Sequence, residues 1–333
     1  MNSKSFFLVA TALLGASWAQ KVTLPAPDSS GWMKLFRGDN ASDFYIANNG
    51  NTPPAKAQTA FPNSTYSISG DTIKVTGSPA GQVYFKIPFS HYRVRYQMRF
   101  PGNVGNCGML IHVQADDAPT SGFPRAVESQ GDPTQGMGQL WPIGDVWVTV
   151  KAHMVSGRMQ YSPNDPEVDY GGKDWNSRVV VGVNGWGQPN YNSLANAHGG
   201  WVTQEARVYG SDSVVHLVED TVRIKYRNPR VSSGGTPNNV TKYLKKGLIS
   251  WQSEGTPVWY RHLEIMLLPG DSLYQETTSL GFHRGQMITP KQDGKRLHYH
   301  DGVLLLNAAG AGSAYDALGT RKVLRGAGLL EKP

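Results

Sequence analysis

The stretch YRVRYQMRF at residues 92–100 alternates apolar or aromatic residues with polar ones at every position. Successive side chains of a β-strand point to opposite faces of the sheet. The stretch therefore predicts a strand with one aromatic and aliphatic face and an opposite face of three arginines and a glutamine. Pro101 and Gly102 follow it, as is typical of the end of a strand.

Short segments of the same kind lie on both sides of this strand. Residues 66–69 and 72–75 flank a Gly70-Asp71 turn and predict a hairpin. Further strands are predicted at residues 83–87, 107–113, 126–130, 138–141, 145–151, 205–209, 213–218, 222–226, 247–252 and 258–267. No capped amphipathic helix is predicted anywhere. Many short strands with turns between them are typical of an all-β sandwich or barrel.

Two regions depart from this pattern. Residues 156–198 mix Gly, Asn, Pro and aromatic residues, which predicts extended loops over an edge or face of the sheets. The composition shifts after residue 269, and residues 270–333 predict a linker and a C-terminal tail with a small hairpin near residues 295–306. We expect this part to form a small β appendage.

The chain begins with a segment typical of export. Lys4 precedes an apolar run too short to span a bilayer, and Ser17-Trp18-Ala19 fits a cleavage site before Gln20. Residues 1–19 are therefore predicted to be a signal peptide and residues 20–30 a leader. The mature chain is expected to be secreted (periplasmic, extracellular or cell-surface), and no later stretch predicts a membrane span.

Charge and cysteine content narrow the function classes. The formal net charge is +7, but the basic residues are dispersed along the sequence, which favours a solvated surface over a nucleic-acid site. A neutral sugar needs no net charge. Cys107 is the only cysteine, so no intramolecular disulfide can form, and we expect a packed thiol there. The sequence leaves the oligomeric state open.

Five motifs occur in order along the chain. They are W-x-x-L-F-x-G at residues 32–38, HYRVRY at 91–96, GNCGMLI at 105–111, ESQ at 128–130 and GLISWQSEGTPVWYR at 247–261. Together they resemble the 3-keto-disaccharide hydrolase domain family. The resemblance implies a concanavalin A-like jelly-roll sandwich of two antiparallel sheets over residues 31–269, in a bacterial protein that hydrolyses a 3-keto-glycoside. The segment YDALG at 315–319 is similar to short secretion-sorting tails.

The first candidate residues are Glu128 and Gln130. They lie two positions apart in a predicted strand, so both side chains face the same side. A glutamate can act as general acid or base, and a glutamine can bind sugar hydroxyls as donor and acceptor. The resemblance places a Glu-x-Gln pair at this position. The alternative interpretation is a solvated polar face of a half-buried strand.

Further candidates come from nearby strands and turns. His112, near a position where the family often has an arginine, could stabilise a developing oxyanion and is the second catalytic candidate. Arg99, His216 and Glu254 are candidates for substrate binding, together with Trp141 as a stacking platform. Each also has a plainer interpretation, as a surface side chain, a core histidine, a turn residue or a core tryptophan. Weaker candidates are His153 and the loop tryptophans Trp175 and Trp186.

No cofactor motif is present. Asp165, Glu167 and Asp169 have a spacing that could hold a divalent metal ion, although loop carboxylates are more often only solvated. No second carboxylate is paired with Glu128 by spacing, which disfavours ordinary two-carboxylate glycosidase chemistry. The expected function is cleavage of a 3-keto-glycoside by acid–base chemistry. A non-catalytic, lectin-like sugar-binding module stays as the alternative.

Overall fold

The structure is a computed structural model that describes residues 22–117, 122–172 and 179–275, together with four short strands between residues 296 and 323. The chain divides into two compact units, one that ends at Tyr274 and one that begins at Gln275. The predicted signal peptide lies outside the described residues. No described helix is long and apolar enough to cross a membrane.

The first unit consists almost entirely of strands. Its strands are β1 (Met33–Lys34), β2 (Phe44–Asn48), β3 (Tyr66–Ser69), β4 (Thr72–Val75), β5 (Gly81–Phe85), β6 (His91–Arg99), β7 (Gly108–Val113), β8 (Ala126–Gln130), β9 (Leu140–Ile143), β10 (Val146–Val155), β11 (Arg158–Tyr161), β12 (Glu167–Gly171), β13 (Val180–Val181), β14 (Val202–Tyr209), β15 (Ser213–Val218), β16 (Thr221–Ser232), β17 (Val240–Tyr243), β18 (Leu248–Ser253) and β19 (Val258–Leu267). Two short 3-10 helices, η1 (Ala41–Asp43) and η2 (Pro54–Lys56), and one α-helix, α1 (Tyr191–Ala197), complete it.

The strands form two sheets. In sheet A the order is β3-β4-β19-β6-β14-β15-β16-β10-β12, with β1 also beside β19 and β17 beside β16. In sheet B the order is β2-β5-β18-β7-β8-β9-β13-β11, and β11 returns to the end of β10. Only the described pair β11–β13 is parallel. This confirms the jelly-roll sandwich of two antiparallel sheets.

Strand β6 lies near the centre of sheet A, and its alternating pattern gives it one buried face and one outer face. Tyr92, Val94, Tyr96 and Met98 are fully buried in the core, whereas the residues between them are partly exposed. Tyr96 makes edge contacts with Trp251 of sheet B, with 6.2 Å between ring centroids, and with Tyr260 of sheet A at 5.8 Å. Burial of this aromatic cluster between the sheets is a large favourable contribution to stability.

The pairing register shows which face of sheet B meets sheet A. Residues paired across neighbouring strands share a face, and the row Ile46, Val83, Trp251, Met109, Ser129 and Leu140 contributes its apolar members to the core. Ser129 in this row donates a hydrogen bond to Gln204 Oε1 of sheet A, 3.3 Å away. The next row therefore faces away from sheet A. This outer row consists of Tyr45, Tyr84, Ser250, Leu110, Glu128 and Trp141.

The prediction of loops throughout residues 156–198 was wrong in two respects. Strands β11, β12 and β13 occupy part of this region and extend both sheets. The short helix α1 also lies there, although no capped helix was expected. Asn190 caps it, because its side-chain oxygen accepts hydrogen bonds from the N–H groups of Asn192 and Ser193 at 2.9 and 3.3 Å. A helix of two turns is too short to show a periodic pattern in the sequence.

The second unit contains a small antiparallel sheet. Its strands are β20 (Arg296–His300), β21 (Val303–Asn307), β22 (Ser313–Tyr315) and β23 (Arg321–Val323), paired in chain order. The expectation of a small C-terminal β appendage is confirmed, with one strand pair at the predicted hairpin.

Two buried tyrosines of the core allow a matched test of this packing. Tyr260 Oη donates a hydrogen bond to the carbonyl oxygen of Gln252 at 2.8 Å, whereas Tyr96 Oη has no hydrogen-bond partner among the described residues. We expect Tyr260→Phe to lower the free energy of unfolding by about 1 kcal/mol and Tyr96→Phe to leave it equal or higher. Urea unfolding followed by tryptophan fluorescence measures both. An equal loss in the two variants would contradict this account.

Candidate functional site

The outer row of sheet B divides into an aromatic end and an acidic end. Tyr45 and Tyr84 stack with ring centroids 4.9 Å apart, and residues of covering loops, including Ala57 and Phe123, pack near them. Glu128 lies at the other end, paired with Leu110 on one side and Trp141 on the other. Its side chain is sheltered, because the residue is only 3% exposed.

The backbone of Gly108 lies directly beside the Glu128 carboxylate in this face. Gly108 begins β7 and has no side chain to fill the surface between β8 and β18. A Cβ atom at this position would collide with Glu128 Oε1 and would lie 2.9 Å from Gln252 Oε1. Glu128 Oε1 and Gln252 Oε1 therefore both lie against the backbone of Gly108. We call this place the Gly108 gap.

Two polar side chains of β18 near Gly108 have polar atoms without a hydrogen-bond partner among the described residues. Gln252 is fully buried, and neither its Nε2 nor its Oε1 has a hydrogen-bond partner among the described residues. Ser250 Oγ, in the outer row, also has no partner there. A buried polar group without a partner costs about 1–3 kcal/mol, so these groups are candidates for hydrogen bonds to a bound molecule.

Two more carboxylates and an amide lie where β7, β8 and β18 reach the same end of sheet B. They belong to Asn106 before β7, Asp132 after β8 and Glu254 after β18. Burial raises the pKa of Glu254 to about 7; a hydrogen bond from Asn106 lowers it, and the negative charge of Asp132 raises it. Glu128, Asp132 and Glu254 also all raise the pKa of the buried thiol of Cys107, after the larger effect of burial. The three carboxylates thus share one small region.

The loop after β8 holds Asp132 in place. Its Oδ1 accepts hydrogen bonds from the N–H and the hydroxyl of Thr134, both at 2.7 Å, and its Oδ2 accepts one from Gln135 Nε2 at 2.9 Å. Gln130 Oε1 accepts from the N–H groups of Gly131 and Asp132 at 2.8 and 2.9 Å. Gln130 therefore stabilises the conformation of this loop, and its side-chain oxygen accepts backbone hydrogen bonds and is not directed at a substrate.

The structure separates both histidine candidates from Glu128. His112 lies 2.9 Å from the carbonyl oxygen of Gly210, in the turn that joins β14 and β15 of sheet A. His216 lies between the carbonyl oxygen of Gly138 at 3.2 Å and the hydroxyl of Tyr226 at 3.1 Å. Both are fully buried between the sheets, on the face of sheet B opposite to Glu128. Burial lowers the pKa of each to about 4, so both are neutral at pH 7.

Arg99 also lies away from the gap. It ends β6 on the outer face of sheet A, where its guanidinium lies 5.6 Å from the centroid of the Trp259 ring. The core of the sandwich therefore separates Arg99 from Glu128. Strand alternation explains this position, since Met98 beside it points into the core.

The tryptophans differ in their surroundings. Trp141 is nearly buried beside Glu128 and can form a wall of the gap. Trp186 is half-exposed, with the guanidinium of Arg158 stacked 3.7 Å from its ring centroid. Trp175 lies outside the described residues.

The three acidic residues that were candidates for a metal site each contact a different basic side chain. Glu167 and Asp169 lie in strand β12, and Asp165 lies just before it. Asp165 contacts His153 at 2.5 Å, Glu167 pairs with Arg227 at 2.6 Å and Asp169 pairs with Arg230 at 3.0 Å. In the part of the chain that the structure describes, no group of three His, Cys, Asp or Glu side chains is arranged to hold a metal ion.

Sequence reasoning missed Asp132, Gln252 and Asn106, and it expected no carboxylate partner for Glu128. A signal was present, because Asp132 continues the two-residue spacing of Glu128 and Gln130, and Gln252 and Glu254 continue that of Ser250. What the spacing could not show was that β7, β8 and β18 are neighbours in sheet B, which brings these ends together.

The fold and the family match together place this chain among carbohydrate-active, glycosyl hydrolase-like domains. Residues 31–266 match the family described as the 3-keto-alpha-glucoside-1,2-lyase-like domain, and the chain belongs to that family. The resemblance drawn from the five motifs is thereby confirmed. No curated protein matches the chain in sequence.

Several solved structures are similar in fold. A proposed glycosyl hydrolase from Parabacteroides distasonis ATCC 8503 has 16% identity and a TM-score of 0.42, over 72% of this chain and 94% of that one. LamAcat from Zobellia galactanivorans has 10% identity and a TM-score of 0.33, over 74% and 95%. The carbohydrate-binding module CBM66 from Bacillus subtilis has 7% identity and a TM-score of 0.33, over 61% and 91%.

The buried histidines make stability depend on pH. Their pKa is about 4 in the folded chain and about 6.5 when unfolded, so between these values only the unfolded chain takes up the protons. The free energy of unfolding should therefore fall as pH falls from 6.5 to 4, by about 1.4 kcal/mol per pH unit for each histidine. Urea unfolding of wild type and His216→Gln at several pH values tests this. The variant should show the smaller slope, and equal slopes would refute the assignment.

Proposed function

We propose that this protein cleaves 3-keto-glycosides at the Gly108 gap, by elimination of the C1 substituent followed by addition of water. The observation that carries the proposal is that the Glu128 carboxylate and the Gln252 amide, which has no hydrogen-bond partner among the described residues, both lie against Gly108. A base and a hydrogen-bond donor side by side suit a substrate whose proton is acidified by a neighbouring carbonyl.

Glu128 is the general base in this proposal. The carbonyl at C3 of the sugar acidifies the proton on C2, and the carboxylate removes that proton. The negative charge that develops on the C3 oxygen is stabilised by the Gln252 Nε2 donor, which has no described protein partner to give up. The burial of Glu128 strengthens its interaction with the C2 proton and the interaction of Gln252 with the C3 oxygen, because electrostatic attraction is larger where water is excluded.

Glu254 is the proton donor. The electrons of the C2–H bond form a C1=C2 double bond as the C1–O bond breaks, and the departing oxygen takes a proton from Glu254. The products of this step are an unsaturated 3-keto sugar and an alcohol, and water added across the double bond completes net hydrolysis. A carboxyl group with a pKa near 7 keeps its proton in a good part of the molecules at neutral pH.

The positions of the two glutamates are compatible with these roles. Glu254 directly follows β18 and lies two residues beyond Gln252, which is about 7 Å in an extended chain. Glu128 and Glu254 both act electrostatically on the buried thiol of Cys107, so the two carboxyl groups lie in the same region. Glu254 is also more exposed than Glu128, which suits the side from which the leaving group departs.

Export belongs to the same proposal. The first 19 residues have the pattern of a signal peptide, and a secreted protein would meet its glycosides outside the cytoplasm.

Two substitutions at the gap test the role of the base. We expect Glu128→Gln to lower kcat/KM on a 3-keto-glucoside at least about a hundredfold, the usual contribution of a general base. Gly108→Ala should cause a comparable loss, because its Cβ would collide with the Glu128 carboxylate and displace it. Unmodified glucosides, on which no turnover is expected, serve as the substrate control. Turnover of the unmodified sugar alone would indicate ordinary glycosidase chemistry, and polysaccharide binding without any turnover would favour the lectin-like module.

The pH profile tests the role of Glu254. Activity should decline above about pH 7 in wild type, as Glu254 loses its proton. Asp132→Asn removes a negative charge that raises the pKa of Glu254, so the decline should move to lower pH. Glu254→Gln should lower kcat most for poor leaving groups and remove the decline. An unchanged profile in Asp132→Asn would contradict the coupling between the two carboxyl groups.

A further inference from the structure

The outer face of sheet A gathers basic residues that are dispersed in the sequence. Alternation in β6 turns Arg93, Arg95 and Arg99 away from the core. The residues paired with this face on the neighbouring strands add Lys74, Arg207 and Arg261. These four strands carry only two carboxylates, Glu205 and Glu264, which leaves a surplus of four positive charges. We call the six basic residues the arginine face.

Tryptophans hold several of these cations in position. The guanidinium of Arg95 lies 3.9 Å from the ring centroid of Trp32, and that of Arg261 lies 4.0 Å from that of Trp201. Both indoles are nearly buried beneath the side chains that cover them. Stacking fixes the guanidinium planes before a ligand arrives, which lowers the entropy lost on binding.

The same arrangement places like charges together at a cost in stability. Arg93 and Arg207 are directly opposite each other on β6 and β14, and both contact Glu205 Oε1 at 2.7 Å. Lys74 and Arg99 share the ring of Trp259. Like charges opposite each other in a sheet are destabilising. Glu205 and Glu264 neutralise Arg93, Arg95 and Arg207 only in part, and Lys74, Arg99 and Arg261 have no carboxylate partner among the described residues, so this face attracts anions.

A groove of about 450 Å³ opens on the same face, at the edge formed by β10, β12, β16 and β17. Its lining includes an ion pair between Arg230, whose side chain is nearly buried, and Asp169, whose side chain is partly exposed. Tyr243 also lines the groove and is 46% exposed. Val215 of β15 is paired with Arg207 of β14 on one side and with Lys225 of β16 on the other. Lys225 therefore lies between Arg207 and the groove. Groove and arginine face are thus two parts of one surface.

We propose that this surface binds an acidic polysaccharide built from uronic acid residues. The planar fork of a guanidinium matches a carboxylate in two hydrogen bonds, as Arg93 shows with Glu205 at 2.7 and 3.1 Å. The ring of Tyr243 offers an apolar surface to a sugar face. Carboxylates of the groove, such as Asp169, can accept hydrogen bonds from sugar hydroxyls.

This surface is distinct from the site at Glu128. The outer face of sheet A and the outer face of sheet B lie on opposite sides of the sandwich core. A polymer bound by the arginine face therefore leaves the Gly108 gap unobstructed, and the inference does not depend on the reaction proposed there.

Binding of polygalacturonate to the full chain, measured by affinity gel electrophoresis and calorimetry, tests the proposal. We expect binding that weakens with salt, and little binding to neutral dextran. Arg99→Gln with Arg261→Gln should weaken it by about tenfold or more, because each lost charge-assisted contact is worth about that factor. Tyr243→Ala should weaken it further. Turnover of a 3-keto-glucoside should be unchanged in all these variants.

Two matched variants separate specific binding from general attraction. Lys56→Gln with Lys86→Gln removes the same charge from exposed sites on sheet B or its loops and should leave binding unchanged. Arg99→Lys with Arg261→Lys keeps the charge but loses the fork, and should still weaken polygalacturonate binding. The proposal is overturned by equal loss in the charge-matched control, by full binding in the lysine variant, by tighter binding to duplex DNA or phosphatidylglycerol vesicles, or by no binding to polygalacturonate.

Discussion

Close packing of sheet A against sheet B is the interaction on which the rest of this structure depends. A single cysteine leaves no disulfide to restrain the sandwich, so the buried aromatic cluster of Tyr96, Trp251 and Tyr260 contributes stability that small secreted domains often obtain from cross-links. The cluster also decides where function can lie. Each strand that sends one residue inward to this core sends the next one outward, so the two outer faces inherit the polar side chains.

The two outer faces have opposite character. On sheet B the carboxylates of Glu128, Asp132 and Glu254 lie around a gap made by one glycine. On sheet A the arginines lie over tryptophan rings. This separation of acidic and basic residues follows from strand geometry. Polar residues alternate with apolar ones along β6 and β18, and the position of each strand in its sheet decides which outer face those polar residues reach. Acid–base chemistry and attraction of an anionic polymer can therefore occupy one small domain without interfering.

In the interior, burial changes the protonation behaviour of titratable side chains. His112 and His216 have the side chain most suited to proton transfer near neutral pH, yet their position between the sheets makes them neutral groups that bond to backbone and tyrosine oxygens. Glu254 is affected in the opposite sense, since burial and a neighbouring carboxylate favour its protonated form. Placement therefore decides which of these groups can exchange a proton with a substrate.

The sequence by itself determined the all-β class, most of the strands and the family resemblance, because alternation with a period of two and the order of the motifs are local properties of the chain. It also determined that Gln130 shares a side of its strand with Glu128. Only the tertiary structure decided that β7, β8 and β18 are adjacent, that Asp132 and Glu254 join Glu128, and that His112 and Arg99 do not. Strand order depends on contacts between residues far apart in the chain, and no local pattern records those contacts.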